Sequence, residues 1–181
     1  GFYVNATKEP WNKYYNMYDH VLKEIPQLIA SEQIPIDVSR ASIFGHSMGG
    51  HGALVMYLRE QAHFRSVSAF APICHPTNCE TGKKLFEGYL AGGIDDGKQY
   101  DAAVLLSKLE SSRQVDVLVD CGLNDNFYKQ KQLQPESLVE AGKKSGIDTA
   151  RIQVRLHDGY DHSCTSVSYT HLRAHETRED L

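Results

Sequence analysis

Residues 44–54 read Phe-Gly-His-Ser-Met-Gly-Gly-His-Gly-Ala-Leu, with Ser47 set among Gly45, Gly49, Gly50 and Gly52. Glycine weakens helix and strand interiors by roughly 0.5–1 kcal/mol relative to alanine, so a cluster of it answers a local geometric demand. Before the cluster, Ala41-Ser42-Ile43-Phe44 is a short apolar run that suits a buried parallel strand. After it, Met48 to Glu60 returns to helical spacing through Ala53, Leu54, Met56, Tyr57 and Leu58. The glycines therefore sit at a strand-to-helix turn. Gly45-His46-Ser47-Met48-Gly49 fits G-x-S-x-G, an elbow that lifts a serine off the end of a strand and aims the following N–H groups at a substrate. A hydroxyl becomes a useful nucleophile only with a base to take its proton and donors to hold the oxyanion.

Working outward, Ser66–Ile73, Val115–Cys121 and Ile152–Leu156 read as further strands. Helical spacing is found at about Lys83–Leu90, Ala102–Leu109 and Pro135–Lys144. Upstream, Trp11, Tyr14, Tyr18, Val21, Leu22, Ile25 and Ile29 predict one amphipathic helix over 11–29, bent near Pro26. Cys74 to Lys98 reads as a long connection of the kind that lines sites. Alternating strand and helix imply a mostly parallel α/β sheet flanked by helices, and with the elbow this is the α/β-hydrolase fold.

That fold places its partners in the order serine, acid, histidine, each in a loop beyond a strand. After the strand ending at Cys121, Asp125 lies in the loop, while Asp120 sits within the strand and is the runner-up. After Leu156, the stretch His157-Asp158-Gly159-Tyr160-Asp161-His162-Ser163 offers two histidines. His162 lies beyond the turn and His157 still at the strand's end, so His162 is the better base. His20, His46, His51, His63 and His75 precede the acid and read as surface or packing residues.

The bulk of the chain narrows the partners. Its 181 residues are 41% hydrophobic and 23% charged with a net charge of −4, and its charges are interspersed, which suggests neither nucleic acid nor membrane as a partner. No apolar stretch approaches the ~20 residues that span a bilayer. Cys74, Cys79, Cys121 and Cys164 contain no CxxC pair and fit a reducing, cytoplasmic setting. Cys74, His75 and Cys79 lack a matching second half as metal ligands, so no metal is expected.

The stretches FYVNATKEPW, SIFGHSMGGHGAL, SVSAFAPICHP and GYDHS closely resemble S-formylglutathione hydrolase, also called esterase D, from Gly1 to about Ser163. The resemblance implies a cytosolic serine hydrolase that cleaves the small-molecule thioester S-formylglutathione to formate and glutathione, acts on simple esters and needs no cofactor. It places the triad on Ser47, Asp125 and His162, and the oxyanion donors on the Met48 N–H and on a loop upstream of Gly1. One departure is visible at 79–84, Cys-Glu-Thr-Gly-Lys-Lys, where family members often carry Pro-Trp before the glycine. A homodimer of the intact parent is left open. A general carboxylesterase and a non-catalytic hydrolase-like binding protein are the competing readings, and an intact triad weighs against the second. A domain of this class runs to roughly 250 residues, so residues 1–165 are expected to be a partial domain, incomplete at both ends. Residues 166–181, polar and without an apolar stripe, are expected to be a non-native, adapter-derived tail, and the i, i+4 pair His171 and His175 is not read as a metal site.

Overall fold

Four parallel strands lie side by side in chain order in the computed structural model, which describes residues 1–60 and 63–163. They are β1 (Ile43–His46), β2 (Val67–Phe70), β3 (Val117–Gly122) and β4 (Ile152–His157). The registers align Ile43 with Val67, Val67 with Val117 and Val117 with Ile152, so one row of β-branched side chains crosses the whole sheet. Helices fill the connections. α1 (Met17–Asp19) and α2 (Ile25–Ser31) precede β1, and α3 (Met48–Arg59) joins β1 to β2. α4 (Glu80–Tyr89), α5 (Gly93–Gly97) and α6 (Ala102–Leu106) join β2 to β3, while α7 (Asn126–Lys129) and α8 (Glu136–Ser145) join β3 to β4. The expected 166–181 tail lies outside the described residues.

α3 is the centre of the core. It packs on β1 and β2 and is buried from Gly50 through Leu58, which explains why its sequence shows no polar face. Its far side is covered by the N-terminal segment, where Phe2 and Val4 are fully buried. Each such side chain contributes roughly 1.5–3 kcal/mol through burial. Phe2 stacks on His51 of α3, with ring centroids 4.2 Å apart and planes 16° from parallel.

That stack gives the fold an acid-sensitive element. Complete burial pushes the His51 imidazole down from its ordinary 6.5 to about 4, so the folded state keeps it neutral. Below pH 6.5 the unfolded chain binds a proton that the folded chain refuses. The corresponding stability is therefore complete above pH 6.5 and is lost as pH falls toward 4, by on the order of 3 kcal/mol. Urea midpoints at pH 7.5 and pH 4.5 should differ accordingly, and His51→Leu should flatten the difference. Equal midpoints in the parent protein would remove His51 from the account.

Two expectations need correction. The helix over 11–29 is broken: Trp11–Lys13 is a single 3-10 turn, and helix resumes only at Met17. The backbone between them is engaged elsewhere, because Asn5 and Asn16 form an antiparallel bridge and the Ala6 N–H bonds the Tyr15 carbonyl at 2.9 Å. Only Tyr18 and Leu22 of the expected stripe are buried, and Tyr14 is 77% exposed. A π turn over His20–Glu24 precedes Pro26, whose missing N–H coincides with the switch in hydrogen-bond spacing. Within the long connection after Cys74, the helix expected at about Lys83–Leu90 is α4, and a short α5 follows it. Finally, β1 is the edge of the described sheet rather than a strand buried on both faces, and Phe44 is 67% exposed.

Candidate active site

The turn between β1 and α3 holds Ser47 at φ 55° and ψ −117°, a conformation that costs a non-glycine residue on the order of 1–3 kcal/mol. The surroundings enforce it. The Ser47 N–H bonds the Phe70 carbonyl at the end of β2 (2.8 Å), and the Ser47 carbonyl accepts the His51 N–H from the next turn of α3 (3.0 Å). A Cβ on Gly45 would collide with the Gly49 carbonyl, and one on Gly52 with the ring of Tyr3. Gly49 differs from both: a Cβ there meets nothing nearer than the Tyr3 hydroxyl at 3.5 Å, an ordinary contact. The two glycines of the motif are thus unequal. Gly45→Ala should cost on the order of 3 kcal/mol and abolish probe labelling at Ser47, whereas Gly49→Ala should stay within about 1 kcal/mol of the parent. Thermal midpoints of the two variants test this, and equal losses would contradict it.

Two loops bring the partners to Ser47. Asp125 follows β3 and is fully buried, and its Oδ1 accepts the N–H groups of Phe127 (2.7 Å) and Tyr128 (3.3 Å), capping α7. Its other oxygen, Oδ2, lies 2.5 Å from Nδ1 of His162, in the loop after β4. Nε2 of His162 lies 2.9 Å from the Ser47 hydroxyl, and the imidazole keeps 23% of its surface exposed. The carboxylate accepts the Nδ1 proton, which leaves Nε2 to receive the serine proton. Met48 opens α3, so its N–H has no intrahelical acceptor and is free to meet a developing negative charge.

The structure separates the two acid–histidine sets that the sequence offered. Asp120, the runner-up acid, is 2% exposed, binds Arg155 through both carboxylate oxygens and also meets His157. Neither Asp120 nor His157 hydrogen-bonds Ser47.

Two side chains that sequence reasoning did not place here flank the His162 ring: Phe127 with centroids 4.7 Å apart and His46 at 4.9 Å. His46 therefore belongs to the site's wall, not to the surface. Burial, reinforced by His162, holds its imidazole below the ordinary range. Its only sequence signal is its place immediately before Ser47.

Cys79 caps α4 by accepting the Gly82 N–H on its sulfur at 3.4 Å. Burial pushes the Cys121 thiol up to about 12 and the Cys74 thiol well up too, so neither supplies a thiolate near neutral pH. Among the described residues, no group of three or more His, Cys, Asp and Glu side chains is arranged to hold a metal ion.

The Esterase family model matches residues 1–175. The chain belongs to the esterase family. Within it, this esterase is 47% identical over 178 residues to S-formylglutathione hydrolase of Mus musculus, an alignment covering 97% of the chain and 61% of the mouse protein. It is 48% identical over 163 residues to S-formylglutathione hydrolase of Arabidopsis thaliana, covering 90% of the chain and 55% of the plant protein. Among solved structures, an S-formylglutathione hydrolase from Agrobacterium tumefaciens superposes with a TM-score of 0.86 at 39% identity, over 98% of this chain and 62% of that one. The chain thus spans about three fifths of the length of the relatives it matches. The esterase has the α/β-hydrolase fold. No helix among its described residues is long and apolar enough to cross a membrane.

Proposed function

We propose that this esterase hydrolyses S-formylglutathione to formate and glutathione through Ser47, His162 and Asp125, and also accepts simple carboxylic esters. The observation that carries the reading is the unbroken relay from the Asp125 carboxylate through His162 to the Ser47 hydroxyl, at 2.5 and 2.9 Å. The substrate class rests on the likeness to the mouse, plant and bacterial enzymes.

Ser47 Oγ attacks the formyl carbon while its proton passes to His162 Nε2, and Asp125 orients the resulting imidazolium. The tetrahedral oxyanion faces the Met48 N–H. As the carbon–sulfur bond breaks, the proton on Nε2 goes to the departing glutathione sulfur. Water then gives a proton to Nε2 and its oxygen to the formyl carbon, and return of that proton to Oγ frees formate and restores the hydroxyl. The residues alone supply nucleophile, base and oxyanion donor, and none of these steps calls on a cofactor.

The buried thiols of Cys74, Cys79 and Cys121 support a reducing, cytoplasmic setting. The partner in this reading is the small-molecule thioester, not nucleic acid or membrane. The experiment compares turnover of S-formylglutathione with that of an aryl acetate in full-length protein carrying these residues. A kcat/KM at least tenfold higher for the thioester is expected. Preference for the acetate would make the protein a general carboxylesterase, and turnover of neither would make it a binding protein.

A further inference from the structure

We infer that His157 is a positioning residue for His162, anchored by Asp120 and Arg155, an inference that rests on the proposed serine-hydrolase reading. Asp120 of β3 lies directly opposite Arg155 of β4, and His157, two residues on, projects from the same face of the strand. The Arg155 guanidinium grips both Asp120 oxygens, Nε to Oδ1 and Nη2 to Oδ2, each at 2.6 Å. With that pair already neutral overall, the 2.9 Å contact of His157 Nε2 with Oδ1 is not needed to balance charge. What it fixes is the direction of the imidazole and of the chain that leaves it.

His157 sits where β4 ends, and several bonds that hold the start of the next loop against the loop of the acid are made by it or its contacts. Its carbonyl accepts the Leu123 N–H at 2.9 Å. Its ring meets that of Tyr160 edge-on, with centroids 5.8 Å apart. The Tyr160 carbonyl in turn accepts the Asn124 N–H at 2.9 Å, and it lies so close over Gly122 that a Cβ there would strike it. Residues 122–124 lead directly to Asp125, and residues 158–161 lead directly to His162. The loop of the acid and the loop of the base are therefore pinned to each other by backbone bonds beside the buried Asp120 carboxylate, which holds His157 five residues before His162. A displacement of about 1 Å in a reacting group can cost roughly a hundredfold in rate, so this pinning acts on kcat.

The test uses His157→Ala and His157→Gln in full-length protein carrying these residues, leaving the Asp120–Arg155 pair intact. His157→Ala should lower kcat by about 10- to 100-fold with KM within twofold and little change in thermal midpoint. Glutamine, whose amide can donate to the same oxygen, should restore most of the loss. The downfield proton NMR resonance of the His162 Nδ1–H, sharp in the parent and in Ser47→Ala, should broaden in His157→Ala and sharpen again in the glutamine variant. A parent that lacks this resonance and any hydrolytic turnover overturns the serine-hydrolase reading and this inference with it. A parent that has both, with His157→Ala keeping kcat and a sharp resonance, overturns the inference alone. So does a fall in kcat that merely tracks a fall in thermal midpoint and is not rescued by glutamine.

Discussion

Ser47→Ala is expected to abolish labelling by a fluorophosphonate probe and to lower kcat by about a millionfold, as loss of the nucleophile does in serine hydrolases. The size of the effect follows from the geometry. Ser47 is the hydroxyl held 2.9 Å from His162 Nε2, and its strained backbone is maintained by bonds to Phe70 and His51 that alanine also makes. The variant should therefore fold normally. Other serines offer no substitute: the Ser42 hydroxyl is 2.9 Å from that of Ser66, and Ser68 lies within β2. Mass spectrometry of the labelled peptide is the measurement. Label that persists in Ser47→Ala, or that maps to Ser42 or Ser68, would sink the assignment.

Asp125→Asn should reduce kcat by about ten-thousandfold while leaving the fold in place. The asparagine oxygen can still cap α7, but an amide nitrogen facing Nδ1 favours the tautomer that places a proton on Nε2, against the serine hydroxyl. Asp120→Asn acts differently. It leaves the relay chemically intact and removes the negative charge opposite Arg155, so the thermal midpoint should fall and kcat should drop by no more than about a hundredfold. Stopped-flow or steady-state kinetics on the two variants separate these outcomes. Near-normal turnover in Asp125→Asn together with collapse in Asp120→Asn would exchange the roles of the two aspartates.

Much of the sheet was legible because its signals are local. The elbow glycines, the strand-like runs at 41–44, 66–73, 115–121 and 152–156, and the loop positions of Asp125 and His162 are each readable within about ten residues of chain. Contacts set at long range were not. The break between Trp11 and Met17 is dictated by pairing with Asn5, which no helical periodicity records. Phe127 and His46 reach the His162 ring only because three loops converge, and their residue types would equally suit a surface. Gly49 looks equivalent to Gly45 in the motif, yet once the elbow is folded a Cβ on Gly45 would strike the Gly49 carbonyl, while one on Gly49 meets only the Tyr3 hydroxyl at 3.5 Å. Asp120 and His157 resembled a second acid–base set because spacing cannot reveal that Arg155 holds the carboxylate.

The sheet's order, β1-β2-β3-β4, also governs when the protein acquires chemistry. Each strand docks on the one made just before it, so a nascent chain leaving the ribosome can extend the sheet from one side without rearrangement. In the proposed reading the nucleophile, Ser47, follows β1 and its base, His162, follows β4, 115 residues later. Secondary structure and most of the core can therefore be in place while the serine is still chemically inert. In the proposed reading the Ser47 relay is complete only once β4 has docked and His162 has followed it, so cleavage by these residues waits on the member of the relay that is made last.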